Sequence, residues 1–208
     1  MLLQPEQACG LIAYLELLAR WNKKINLTSL PLVEPADETF DRLLIEPLVA
    51  ARYLPSPDCT VIDIGSGGGS PAIPLKLAAP AIALRMVESK TRKAAFLREA
   101  VRQLNLRQVE VETARFEELL ARPSMHEAYA VATLRAVRVE ARTLKIVQAF
   151  VKPSGRIFLF RSRVSDSEVP TIVPPLAWDT THPLVESSGS QLVILRRQDF
   201  PLTAATRG

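Results

Sequence analysis

The stretch Val61-Ile62-Asp63-Ile64-Gly65-Ser66-Gly67-Gly68-Gly69-Ser70-Pro71 decides how this chain is read. An apolar, β-branched run leads straight into a turn that holds four of the chain's 8 glycines. Such a turn reaches positive φ and lets a ligand approach bare backbone. The apolar-periodic run after it, Ala72 to Ala79, predicts a helix whose N-terminus faces the same ligand. Strand, glycine turn and helix form the first unit of a nucleotide-binding α/β sheet.

Downstream, short apolar runs alternate with longer helical patterns. Strands are expected at 60–64, 83–88, 108–113, 129–134 and 156–161, and helices at 71–79, 90–105, 115–122 and 138–150. That rhythm implies parallel pairing through right-handed crossovers. Pro170, Pro174, Pro175 and Pro183 break up residues 164–183, and 183–186 with 191–196 predict a hairpin around Ser187-Ser188-Gly189-Ser190. Upstream, Leu11, Ile12, Leu15 and Leu18 mark the apolar face of a helix over 5–20, and 41–54 predicts a second helix interrupted at Pro47. The expected fold is α/β: a mostly parallel seven-stranded sheet with helices on both faces, preceded by a helical cap over 1–57. A terminal hairpin is the shape of Rossmann-like class I methyltransferases rather than of dinucleotide-binding domains.

Bulk properties bound the function. A chain of 208 residues, 48% hydrophobic, suits one α/β domain with a modest extension. The net charge is only +4, but the basic residues are clustered. Residues 135–163 carry eight of them against one acid, Glu140, and 85–107 carry seven against Glu88 and Glu99. Such blocks suit RNA or another phosphate-rich partner; solvated helix faces are the plainer alternative. Cys9 and Cys59 have neither CxxC nor ligand spacing, which argues for a reducing compartment and against a metal site. The first residues lack a signal-peptide pattern, and no apolar run is long enough to span a bilayer. A cytoplasmic monomer without membrane or metal partners is the expectation.

Three details choose the nucleotide. The dinucleotide pattern G-x-G-x-x-G fails because Ser70 occupies its third glycine position, and no G-K-[ST] follows. An acid, Asp63, stands just before the turn. A second acid, Glu88, ends the next strand, where a carboxylate can accept both ribose hydroxyls of an adenosine. Together these favour S-adenosylmethionine over NAD. Residues 58–208 are then an S-adenosylmethionine-binding domain. Asp63 is expected beneath the turn, holding its backbone donors or the ligand's ammonium.

Trp21-Asn22-Lys23-x-x-Asn26-Leu27-Thr28 resembles the W-N-x-x-x-N-L-T signature of bacterial 16S ribosomal RNA guanine-N7 methyltransferases. Asp63 to Pro74 resembles that family's D-[VI]-G-[ST]-G-x-G-x-P-G-[IL]-P. Glu88-Ser89-x-x-Arg92-Lys93-x-x-Phe96-Leu97, Arg115-Phe116-Glu117 and Leu134-Arg135-Ala136 are similar to its later segments. The resemblance implies S-adenosylmethionine as methyl donor and 16S rRNA, free or in the small ribosomal subunit, as substrate near the decoding region. It puts Gly65, Gly67, Gly69 and Ser70 along the methionine, Glu88 and Ser89 at the ribose, Phe116 and Glu117 at the adenine, and Arg135 at the mouth. The chain departs from the pattern at Ala72 (for Gly), at Leu43-x-x-Glu46-Pro47-Leu48 (for His-x-x-Asp-Ser-Leu), at Ala130 (for an acid) and at Arg161-Ser162 (for Lys-Gly).

The chemistry implied is methyl transfer to a nitrogen lone pair that carries no proton, which needs alignment and exclusion of water rather than a general base. His126 and His182 are therefore read as incidental. Arg135, Arg161 and Lys23 are the candidates for holding RNA phosphate or the guanine edge. Rival readings are a methyltransferase for another substrate, recognisable by an apolar lid in place of a basic rim, and a non-catalytic RNA-binding protein that does not bind S-adenosylmethionine.

Overall fold

A computed structural model describes residues 3–135, 139–161 and 172–199. The first helix, α1 (Pro5–Asn22), is followed by a helical stretch in four pieces: α2 (Asp37–Phe40), a π turn (Asp41–Ile45), α3 (Glu46–Ala50) and a 3-10 turn (Ala51–Tyr53). Then come β1 (Thr60–Ile64), α4 (Ala72–Ala78), β2 (Ala83–Val87), α5 (Thr91–Gln103), β3 (Val109–Glu112), 3-10 turns at Phe116–Ala121 and Pro123–Met125, and β4 (Tyr129–Arg135). The chain continues through α6 (Ala141–Phe150), β5 (Val151–Arg161), β6 (Leu176–Val185) and β7 (Ser190–Arg197).

The seven strands form one sheet in the order β3-β2-β1-β4-β5-β7-β6. β1 to β5 pair in parallel, and β7 lies antiparallel between β5 and β6. Strands covered on both faces need apolar residues at every position, which is why β1 reads as an apolar run apart from Thr60 at its start and Asp63. Val61, Leu84, Met86, Val131 and Phe158 face the cap together with Leu11, Tyr14, Leu18 and Leu43. Ile62, Ile64, Val87, Ala132, Leu134 and Ile157 face Leu144, Val147 and Phe150 of α6. The strand order reverses between β1 and β4. In such sheets the ligand crevice opens beyond the carboxyl ends of the strands at that switch point, here Gly65 and Arg135.

The differences from expectation have local causes. Leu11, Tyr14, Leu17 and Leu18 form the buried face of α1, and Ile12 is 59% exposed; the helix is turned so that Tyr14 reaches the glycine turn. The second helix starts earlier, at Asp37, and absorbs Pro47 by widening into the π turn rather than breaking. Residues 116–121 close as a 3-10 turn because Pro123 stops them after six residues. The hairpin's first strand starts before the expected 183: β6 begins at Leu176 and holds Pro183 inside it, on the edge of the sheet and beside a register shift, where proline is tolerated. β5 starts at Val151, ahead of the expected 156. Arg138, Ser162, Arg163 and Pro170 lie outside the described residues.

Candidate active site

The turn after β1 is held by named bonds. The N–H groups of Gly65 and Ser66 donate to the Val87 carbonyl at 2.9 and 3.0 Å, and that of Gly69 to the Ser66 carbonyl at 2.7 Å. The Gly67 N–H donates to Glu88 Oε2 at 2.9 Å, while Oε1 of the same carboxylate accepts from the Lys90 N–H at 2.7 Å. Glu88 thus fixes both the turn and the start of α5, and each of its oxygens retains a lone pair. Gly69 needs to be glycine: its φ is +89°, and a Cβ would lie 2.6 Å from Ile73 Cδ1.

Asp63 is 1% exposed. Its Oδ1 accepts the Thr133 hydroxyl at 2.5 Å, and its Oδ2 is buried without a partner among the described residues. Burial pushes its carboxyl above the usual range, against the hydrogen bonds of Ser66 and Thr133 and the charge of Arg135. Asp63 does not hold the turn's backbone donors. The Val87 carbonyl and the Glu88 carboxylate do that, and an orphaned Asp63 oxygen is left for a cationic or N–H-bearing ligand.

A cleft of about 240 Å³ opens beside this turn. Its walls are Ile64, Gly65, Val87 and Ala114, with Phe116 and the polar groups of Ser89 and Glu117. The expected ribose and adenine residues Ser89, Phe116 and Glu117 are therefore brought together with Gly65. Val87 and Ala114 complete the apolar wall and carry no sequence signal beyond being apolar.

The opposite flank is closed by the cap. Tyr14, fully buried, donates its hydroxyl to the Gly68 carbonyl at 2.7 Å. A Cβ at Gly68 would lie 3.2 Å from the Leu27 carbonyl and 3.3 Å from Leu18 Cδ1, so only a residue without one fits freely. Asn22 builds this contact: its Oδ1 accepts from the N–H groups of Leu27 and Thr28 at 2.8 and 3.0 Å, and its Nδ2 donates to the Thr28 carbonyl at 3.1 Å. Trp21 meets Phe96 of α5 edge-on at 5.8 Å. Trp21, Asn22, Leu27 and Thr28 thus shape the cap, and Lys23 is exposed just past the end of α1, between the exposed Arg20 and Lys24.

Arg135 ends β4 and is held from several sides. Nη2 pairs with Glu46 Oε2 at 2.5 Å, and Nη1 donates to Ser70 Oγ at 3.1 Å and to the Arg42 carbonyl. Its guanidinium lies 4.4 Å from the centre of the Phe160 ring. Burial pushes Arg135 down to about 10 and the Glu46 carboxyl up, and each charge pulls the other partly back. Ser70 Oγ donates to the Leu43 carbonyl at 2.9 Å, so Ser70 also faces the cap. Arg161, at the end of β5, is half-buried opposite Gln191. His126 bonds the Leu120 carbonyl at 2.8 Å, and His182 stacks on Tyr53 at 3.9 Å, so both have structural contacts away from the turn. Tyr14, Glu46 and Thr133 were not anticipated from sequence. Among the described residues no group of three or more His, Cys, Asp and Glu could hold a metal ion, and no helix is long and apolar enough to cross a membrane.

A sheet reversed at β1/β4, a glycine turn between two acids and an adenine-sized cleft define a Rossmann-like class I methyltransferase. Solved structures share the fold. A putative O-methyltransferase from Klebsiella pneumoniae aligns with TM-score 0.64 at 15% identity, covering 94% of this chain and 91% of that one. Pyrococcus horikoshii TYW2 in complex with MeSAdo aligns with TM-score 0.54 at 11% identity, covering 74% and 62%. Residues 7–174 match the family GidB, rRNA small subunit methyltransferase G. The ribosomal RNA small subunit methyltransferase G of Xylella fastidiosa is 34% identical over 193 residues, 90% of this chain and 86% of that protein. That of Dichelobacter nodosus is 47% identical over 108 residues, 52% and 49% of the two chains. The chain belongs to the rRNA small subunit methyltransferase G family and is an S-adenosylmethionine-dependent enzyme.

Proposed function

We propose that this protein methylates N7 of a guanine in 16S ribosomal RNA near the decoding region, in the cytoplasm, as a monomer and without a metal. The observation that carries the reading is the pair of acids around the glycine turn, in a chain of this family. Asp63 offers a buried, unpartnered oxygen, and Glu88 a carboxylate already anchored to Gly67 and Lys90. These residues fit S-adenosylmethionine: an ammonium answers Asp63, ribose hydroxyls answer Glu88, and an adenine suits the cleft between Val87, Ala114 and Phe116.

Bound there, S-adenosylmethionine supplies a sulfonium methyl, an electrophile for an in-plane ring nitrogen. The chain's own work is alignment. Gly65, Gly67 and Gly69 let backbone line the ligand, and Ser70 ends that wall. Ser89 and Glu117 supply polar groups at the cleft's rim. Guanine N7 has no proton to lose, so no residue is assigned as a base; the site acts by orientation and by keeping water out. Lys23 and Arg161 hold RNA phosphates beside the mouth, and Arg135 stands behind the reacting edge. Lys90 and Arg92 extend the basic rim: both are exposed at the start of α5, the helix that Trp21 joins to the end of α1.

The test is to incubate the protein with labelled S-adenosylmethionine and small subunits, or 16S RNA, that lack the modification, and to map the label. One guanine N7 is expected to carry it. Label on another atom, or on a small molecule or protein instead, overturns the substrate; absence of cofactor binding by calorimetry overturns the enzyme reading.

A further inference from the structure

The helical stretch that lies over the glycine turn has a proline in its middle, and what that proline releases is used. Pro47 has no N–H, so the hydrogen bond that would return to the carbonyl of Arg42 or Leu43 cannot form. The stretch answers with the π turn Asp41–Ile45, in which the Glu46 N–H reaches back to Asp41. The carbonyls of Arg42 and Leu43 instead accept Arg135 Nη1 and Ser70 Oγ. The side chain next to the proline, Glu46, takes the other arm of Arg135 at 2.5 Å. One guanidinium is thus tied to the cap through a carboxylate and a carbonyl, and to the turn through Ser70.

This arrangement is a poor way to gain stability. A buried ion pair roughly breaks even against apolar residues of the same shape, and the Glu46 and Arg135 side chains are only 5% and 17% exposed. The same cap meets the sheet elsewhere through apolar contacts that need no such pairing. An arginine fork adds direction: it accepts partners in one plane and at fixed angles. Here it joins the end of β4 to the last residue of the glycine turn, the two walls of the crevice at the switch point.

We propose that Glu46 is a positioning residue for methyl transfer: acting through Arg135 and Ser70, it fixes the distance between the glycine turn and the end of β4, and Pro47 serves this by freeing the carbonyls that complete the latch. The inference rests on the methyl-transfer reading above. Glu46 and Pro47 stand where the family pattern has Asp and Ser, and Leu43 where it has His. Glu46 keeps a carboxylate at its position, and backbone carbonyls supply the acceptors that the Leu43 and Pro47 side chains cannot offer.

The full-length chain is compared with Glu46→Gln and Pro47→Ala for cofactor affinity by calorimetry, kcat and KM on small subunits lacking the modification, and Tm. Glu46→Gln is expected to keep cofactor affinity within about threefold and to lower kcat by about tenfold or more, since misplacement by about 1 Å is that costly. Pro47→Ala restores an N–H that lets the helix reclaim a carbonyl. Its Tm is expected to hold or rise, yet its kcat falls by about threefold to tenfold. A purely structural role moves Tm and leaves kcat alone. Wild-type kcat in Pro47→Ala, or in a folded Glu46→Gln, overturns the proposal. If Glu46→Gln does not fold, Pro47→Ala decides by itself. A wild-type chain that binds cofactor and leaves small subunits unmethylated overturns the functional reading, and this inference with it.

Discussion

The two flanks of the glycine turn are built on opposite principles. Toward β2 and α5 the turn borders an open cleft: the Glu88 carboxylate fixes backbone N–H groups, and the walls are the apolar Ile64, Val87, Ala114 and Phe116 with Ser89, Arg115 and Glu117 among them. Toward the cap it is closed by side chains that reach across the fold: Tyr14 to Gly68, Arg135 to Ser70, and Ser70 to Leu43. The open side is arranged to be completed by a ligand. The closed side is tied together within the protein: Tyr14, Ser70 and Arg135 all have partners there, and Glu46 Oε1 is left buried without one among the described residues. Ligand affinity should therefore respond to changes on the first flank, and catalytic alignment to changes on the second.

The largest expected effect strikes both flanks at once. Gly69→Ala forces a side chain into the left-handed region and against Ile73, and should cost about 2–4 kcal/mol in urea unfolding together with most cofactor binding. A Gly69→Ala protein of native stability would show that the turn is less constrained than its geometry. Glu88→Ala tests the open flank alone: cofactor affinity by calorimetry should fall by about 1.5–3 kcal/mol, the scale of hydrogen bonds to a charged group. Equal affinity would remove its ribose role.

Asp63→Asn separates binding from stability. Its carboxyl is raised by burial, so the folded protein holds that proton more tightly than the unfolded chain does. The contribution of Asp63 to stability is then complete below about pH 4, its unfolded range, and is lost as pH rises through the folded value. At pH 7 the substitution should stabilise the unliganded protein by about 1 kcal/mol while weakening cofactor binding. A stability gap between the two proteins that does not close on acidification would sink this account. The smallest effect belongs to the closed flank: Tyr14→Phe should lower stability by about 1 kcal/mol with little change in cofactor affinity, and a large affinity loss would mean that the two flanks are not separable.

The open flank was legible in the sequence because its chemistry is local. Asp63, Gly65, Gly67, Gly69 and Glu88 are set by strand ends and a turn, and residue type at fixed spacing announces them. The closed flank depends on bonds between residues 27 to 93 positions apart, which leave no periodic mark. Two faint signals existed. Thr133 is a lone hydroxyl in an apolar strand, and Pro47 sits inside a helical pattern next to an acid. The face of α1 was misjudged for the same reason: Ile12 and Tyr14 both suit a core by type, and only the partner at Gly68 decides which turns inward. The Trp21 stretch reads as a mark of substrate class, yet Asn22 and Leu27 use it to shape the cap around the turn.

The place of β7 has a consequence for biosynthesis. The strand that seals β5 is the last of the seven to be made, and until Leu192 to Leu195 arrive, Ile157 to Phe160 form a raw apolar edge. At about 5–20 residues per second, that edge stays open on the order of seconds on a translating ribosome. An unpaired edge is a template for wrong partners. A nascent chain stalled before Ser190 would therefore carry a nearly finished glycine turn and still be prone to aggregate.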